Sequence, residues 1–206
     1  MKTKIVLILL ALFAFSFTSC EDSKKKEQEK AQMEQEEAKR QAEMKAEEER
    51  MEMESNSIAA KAMATDSLST LVSALQNANL VATFVENEGP YTVFAPTNSA
   101  FEKVDQATMD ELMKSENKDQ LATVLKYHVV DDEITASDLS QMIEDGDGEA
   151  SFSTMDGGEL KAMMEGDNIV LQDENGNKAI IIATDIEASN GIVHMIDGVV
   201  MKKKAS

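Results

Sequence analysis

The spacing of apolar positions divides the chain into stretches of different character. An apolar run from Ile5 to Phe17, interrupted only by Ser16, gives way to a highly charged segment, 21–54, with only scattered alanines and methionines. From about Asn56 the pattern becomes that of a folded domain. "TDSLSTLVSALQNANL" puts Leu68, Leu71, Val72 and Leu75 on one helix face, with Asp66 or Ser67 available as the cap. "LVATFV" predicts a second short helix. "NKDQLATVLKYHVV" repeats the pattern with Leu121, Val124, Leu125 and His128, and "TASDLSQMIEDG" follows with Ser137 as a cap and Gly146 as a stop. The second half reads as strands: "ASFST", "ELKAMM", "NIVLQ", "KAIIIATDI" and "IVHMIDGVVM". Asn175-Gly176 predicts a hairpin turn with both residues at positive φ. The run "AIIIA" alternates poorly and predicts a strand covered on both faces. Helices first and mostly antiparallel strands afterwards define an α+β domain.

Both prolines of the chain fall in "GPYTVFAPTNSAF". Tyr91 to Phe94 are good strand formers, and Pro90 suits the start of a strand. Pro96 keeps Ala95 extended and ends the ladder. Thr97, Asn98 and Ser99 are all cap residues, and Ser99 to Glu102 has the form of a capping box before a helix that buries Phe101. The stretch predicts a short strand, a stop and a capped helix start.

Composition changes the reading of the first 55 residues. Two lysines, a short apolar core and small polar residues before Cys20 have the anatomy of a secretory signal, and the core is shorter than the ~20 residues of a spanning helix. Cys20 is the only cysteine. It reads either as incidental to a cleavage site or, since "FTSC" resembles a bacterial lipobox, as a lipidated first residue. Segment 20–55 has no glycine, proline or aromatic residue, and its charges alternate at helical spacing, as in Glu36 with Arg40. Its apolar positions hold no heptad, so it reads as a solvated, coiled-coil-like helix or a partly disordered tether. The expected organisation is a signal at 1–19, a tether at 20–55 and one domain at 56–204.

Net charge is −19, and from Ser55 onward 26 acidic residues face 10 basic ones. Such a domain repels phosphate backbones, which argues against nucleic-acid binding. Candidate chemistry is sparse. The two histidines, His128 and His194, lie among apolar neighbours, and no G-x-S-x-G turn is present. "DGDGEA" and "DENGNK" have alternating acidic or amide residues but lack the glycine of an EF-hand loop, so both read as turns. No cofactor, metal site or enzymatic activity is expected.

Three elements in order resemble the signatures of the fasciclin (FAS1) family. The first is the proline stretch, with Pro96, Thr97, Asn98 and Phe101. The second is "LKYHVV", with Tyr127 and His128. The third is "TDIEASNGIVHMIDGVVM", with Asn190, Gly191, His194, Ile196 and Asp197. The similarity covers Asn56 to Met201 as a single copy; the proline usual after the last signature is absent, and Lys202 to Lys204 stand there. The resemblance implies a twisted β-wedge with packed helices and a non-enzymatic role in cell adhesion or in binding envelope proteins or polysaccharides. Its alternative is a module that binds a small apolar ligand, a pigment or lipid. In animal members the Tyr-His element is associated with receptor binding, which points to Tyr127 and His128; the competing reading is a core role with both polar tips bonded internally. Asn98, Asn190 and Asp197 read as hydrogen bonders that tie the signatures together. Glu21 and Asp22 after Cys20 resemble the acidic start of surface-displayed bacterial lipoproteins, which implies an exported protein held by lipid at the outer membrane or cell surface, with the inner leaflet as the alternative.

Overall fold

The computed structural model of the protein describes residues 19–86 and 89–203. The signal read at 1–19, apart from Ser19, and Lys204 lie outside the described residues. The chain forms two units, Met1–Arg50 and Met51–Ser206. The first is dominated by one long helix, α1 (Ser19–Ser55), in which Cys20 occupies the first turn. Its described side chains are almost all exposed, and Lys30–Glu34, Lys39–Glu43 and Lys45–Glu49 pair across one turn. Each such pair adds a few tenths of a kcal/mol, so good helix formers and charge pairing support this helix without a packed face.

The second unit holds helices α2 (Ile58–Met63), α3 (Ser69–Asn77), α4 (Val81–Glu86), α5 (Asn98–Glu102), α6 (Gln106–Leu112), α7 (Lys118–Tyr127) and α8 (Ala136–Asp145). Its strands are β1 (Tyr91–Pro96), β2 (Val129–Val130), β3 (Glu149–Ser153), β4 (Glu159–Glu165), β5 (Asn168–Gln172), β6 (Lys178–Ala188) and β7 (Gly191–Ile196). They make one seven-stranded sheet in the order β2-β1-β7-β6-β5-β4-β3. A bridge between Val130 and Thr154 brings the two edges together, so the sheet is a nearly closed wedge. Neighbours are antiparallel except β1 and β7, which pair in parallel from Tyr91↔Gly191 to Pro96↔Ile196. The first and last sequence signatures are therefore adjacent strands. Pro96 is the last residue of β1, beyond Thr92 and Val93, where β2 pairs.

Alternate residues of this pair face two core clusters. Val93, Ala95 and Val193 join the helical cluster with Ile58, Leu71, Phe84 and Leu125. Phe94 and Ile196 join the second, with Tyr127, Leu139, Phe152, Leu160 and Leu171. The strands covered on both faces are thus β1 and β7. β6, expected to be buried on both faces, alternates instead: Ala179 and Ile181 are buried, while Ile180 and Ile182 are 37% and 54% exposed.

Helix starts also differ from the sequence reading. α5 is capped by Thr97, whose Oγ1 accepts the Ala100 N–H, so Ser99 lies inside the helix. α8 is capped by Thr135 in a capping box with Asp138, two residues ahead of Ser137. Neither Asp66 nor Ser67 caps α3; a short 3₁₀ turn, Asp66–Leu68, precedes it, and the Thr70 N–H is taken by the Asn98 side chain. At Asn175-Gly176 only the glycine takes positive φ, 84°. Asp173 accepts the backbone N–H groups of Asn175 and Asn177 and closes the turn in its own way.

Close approach of β7 to β1 requires Gly191. Its φ is 144°, and a Cβ there would lie 1.9 Å from the Tyr91 carbonyl oxygen. Gly191→Ala is expected to cost about 3 kcal/mol or more in urea denaturation, because strained φ and backbone overlap combine. Gly176→Ala, with φ 84° but open space around it, is expected to cost only about 1–2 kcal/mol. Equal losses for the two would contradict this role of Gly191.

Candidate functional site

The Tyr-His element sits at the end of α7. Leu121 and Leu125 bury the inner face of that helix, and Tyr127 and His128 follow as its last residue and its cap. Neither is available to a receptor: Tyr127 is 0% exposed and His128 3%. The Tyr127 hydroxyl donates to the Glu159 carbonyl and accepts the Glu174 N–H at 3.3 Å. Burial, reinforced by Glu174 and the nearby aspartates, pushes the phenol up to about 12 against the help of the Glu174 N–H.

His128 lies 2.8 Å from the Val124 carbonyl through Nδ1, and its Nε2 accepts the Val200 N–H at 3.2 Å. A carbonyl can only accept, so Nδ1 carries the proton and the ring is neutral. It thereby satisfies one of the free carbonyls at the C-terminus of α7. Burial drives its pKa down to about 4. His194 is the opposite tautomer: Nε2–H donates to the Ile134 carbonyl at 2.8 Å, and Nδ1 accepts the Asp185 N–H at 3.3 Å. Burial lowers its pKa too, and its ring stacks on Phe94 with centroids 5.7 Å apart. The two imidazoles share no hydrogen-bond partner. With both nitrogens of each committed to backbone groups, they have no free base to offer, and they serve as connectors.

What His128 connects is the chain end. Residues 200–203 form no regular element, yet their donors are met by side chains. His128 takes Val200 N–H, Asp173 Oδ2 takes Met201 N–H at 2.9 Å, and Glu174 Oε2 takes Lys203 N–H at 3.1 Å. Asn175 Nδ2 donates to the Met201 carbonyl, and Lys202 Nζ pairs with Asp156 at 3.2 Å. This clasp stands where the family's usual proline is missing. Asp173, 4% exposed, accepts four hydrogen bonds in all. "DENGNK" is thus a turn whose carboxylate is filled by N–H donors. Sequence reasoning took Asp173 for an ordinary turn residue; its long-range role has no local signal.

The other signature residues also act between segments. Asn190 Oδ1 accepts Ile58 N–H at 2.9 Å and its Nδ2 donates to the Phe84 carbonyl at 2.8 Å, joining α2 and α4 to the start of β7. Asn98 ties the first signature to α3, through Thr70 N–H and the Asp66 carbonyl, rather than to the last signature. Asp197 pairs at 2.9 Å with Lys103, two residues beyond the first signature. Burial works against its carboxylate, but Lys103 and the Ile180 N–H outweigh this and hold its pKa below the usual range. Thr92, buried at 0% exposure, donates to the Asp132 carbonyl and accepts Ile134 N–H.

Among the described residues no group of three or more His, Cys, Asp or Glu is placed to hold a metal ion. An enclosed apolar cavity in the helical cluster, lined by Ile58, Leu71, Phe84 and Val193, measures about 20 Å³. That is room for a water-sized probe, against the several hundred Å³ of a ligand pocket. A larger concavity of about 800 Å³, lined by Leu112, Val124, Met201, Glu111 and Lys203, is an open groove beside α6 and α7.

The buried histidines make stability depend on pH. Their folded pKa values are lowered, so the unfolded chain binds more protons below about 6.5, and stability falls as pH drops from there toward 4. From His128 alone the loss between pH 6.5 and 5 is about 2 kcal/mol, with His194 adding in the same direction. Denaturation curves at pH 7.5 and 5 are expected to show this drop, reduced in His128→Gln. A flat profile down to pH 5 would contradict the neutral, buried assignment.

Comparison with known proteins gives the same assignment by an independent route. The Fasciclin domain model matches residues 66–202. The chain is 38% identical over 146 residues to Protein sll1483 of Synechocystis sp., covering 70% of this chain and 73% of that protein. It is 34% identical over 149 residues to the cell surface glycolipoprotein MPB83 of Mycobacterium bovis, covering 70% of this chain and 60% of that one. A FAS1 domain pair from the insect cell adhesion molecule fasciclin I shares the fold, with a TM-score of 0.64 at 18% identity over 71% of this chain and 51% of that one. A parallel β1–β7 pair carrying the first and last signatures, the buried Tyr-His element between them and these matches together place the chain in the fasciclin family, with one FAS1 domain.

Proposed function

We propose that the protein is exported, anchored by lipid on Cys20, and presents its FAS1 domain on the α1 tether for adhesion at the cell envelope. The observation that carries this reading is the order of parts along the chain: an apolar leader ending at the lone cysteine, a charged helix of 37 residues, then one FAS1 domain. MPB83, a relative, is named a cell surface glycolipoprotein, and fasciclin I, which shares the fold, is named a cell adhesion molecule. Among the described residues no helix is long and apolar enough to cross a membrane. Two or three acyl chains would supply stable attachment, since each buried methylene adds about 0.8 kcal/mol. A helix of this length reaches about 55 Å along its axis, at 1.5 Å per residue.

The mode of action is contact through the surface of the domain. Tyr127, His128 and His194 hold internal segments together, so a partner meets exposed side chains on a strongly acidic body. The partner class that fits is an envelope protein or polysaccharide with basic or cation-bridged groups, and binding of this kind weakens as salt rises.

Fatty-acid labelling in the producing cell is expected to mark the wild-type chain and to fail in Cys20→Ala; equal incorporation in both would remove the anchor. The mature protein on beads is expected to retain cells or envelope polymers, with retention falling severalfold as ionic strength is raised from about 0.05 to 0.5 M. Retention equal to that of an equally acidic unrelated protein would remove the adhesion reading.

A further inference from the structure

Methionine ordinarily ranks with the residues most often buried. Here the distribution is reversed. The chain has 14 methionines, and apart from Met1, which lies outside the described residues, none is buried. The buried residues of both core clusters are Leu, Ile, Val, Ala, Phe and Tyr, while Met109, Met113, Met155, Met195 and Met201 pack half-buried against the first. Of the nine exposed large hydrophobic residues among the described residues, seven are methionines: Met33, Met44, Met51, Met53, Met63, Met142 and Met164. The remaining described methionines, such as Met155 and Met195, are half-buried.

Helix propensity does not account for this choice, since leucine forms helices as well as methionine does, and α1 contains methionine but no leucine, isoleucine, valine or phenylalanine. Met33, Met44 and Met51 are spaced by 11 and 7 residues, about three turns and two, so they share one side of the helix. The distinguishing property of a thioether is that it gives up an electron pair to two-electron oxidants. A sulfoxide is polar and would disrupt a core, whereas at an exposed position it meets water.

We propose that the exposed methionines form an oxidant-consuming shell, which reduces peroxides and hypohalous acids ahead of the half-buried methionines packed against the core. The sulfur attacks the electrophilic oxygen of hydrogen peroxide, or the chlorine of hypochlorous acid with water then supplying the oxygen. With peroxide the S–O bond forms as the O–O bond breaks. With hypochlorous acid an S–Cl bond forms as the O–Cl bond breaks, releasing hydroxide, and water then displaces chloride as the S–O bond forms. The products are methionine sulfoxide with water in the first case and with chloride and a proton in the second. The sulfur loses two electrons and the oxidant gains them. The site is the set of seven side chains, and it is independent of the adhesion reading.

The test is a titration of the full chain, with any free Cys20 thiol alkylated, by hypochlorous acid below seven equivalents, followed by peptide mass spectrometry. The seven exposed methionines are expected to convert at least about tenfold ahead of Met155 and Met195. The thermal midpoint should stay within about a degree of the untreated protein. Replacing all seven by leucine should abolish the rapid phase. In a milder variant, M33L/M44L/M51L/M53L, which touches no core residue, four of the seven rapid equivalents should disappear. Conversion of Met155 and Met195 in step with the exposed set, a falling midpoint as the exposed set reacts, or a rapid phase of undiminished size in the four-site variant would each overturn the proposal.

Discussion

A parallel strand pair cannot be closed by a tight turn, and β1 and β7 form such a pair with residues 100 positions apart, Tyr91 against Gly191. Everything from α5 to β6 is the crossover between them. Both strands are buried on both faces, so each contributes alternate side chains to two clusters and no surface to solvent along most of its length. The ends of the pair are fixed by polar groups. Asn190 holds α2 and α4 where the pair begins, and the Thr97 N–H and the Asp197–Lys103 pair hold α5 where it ends. The two core clusters meet across this ladder, while α8 packs directly on β3 and β4.

Buried polar side chains do the joining that regular structure does not. The loop after β2 is held by Thr92 and His194, and the chain end by His128 and Asp173. An unmet buried polar group costs on the order of 1–3 kcal/mol, so each of these side chains both satisfies an irregular backbone segment and fixes where that segment runs. The consequence for function is that the family's signature residues are spent on architecture. What remains for partners is the exposed surface, acidic and unusually rich in thioethers.

Much of this was legible from local pattern. Helical and strand periods, the hairpin at Gly176 and the three signatures all depend on residues close in sequence. The face of β6 was not, because a short apolar run carries no information about what packs on either side, and here Ile180 and Ile182 stay on the exposed face. Caps shifted by one or two residues because several candidates adjoin each helix start. Asn98 and Asp173 were misread in range: their partners lie 28 residues away in each case, at Thr70 and Met201, and no local spacing encodes that.

The clasp at residues 200–203 gives the sharpest measurement. A segment outside any helix or strand would ordinarily exchange its amide protons quickly, yet Val200 and Met201 donate to buried His128 and Asp173. Native-state hydrogen exchange at neutral pH should therefore find both amides protected to about the level of β1 and β7, with protection at Met201 lost in Asp173→Ala. Exchange of these two amides at the rate of an open chain end, in a protein whose β1 and β7 amides remain protected, would contradict the account.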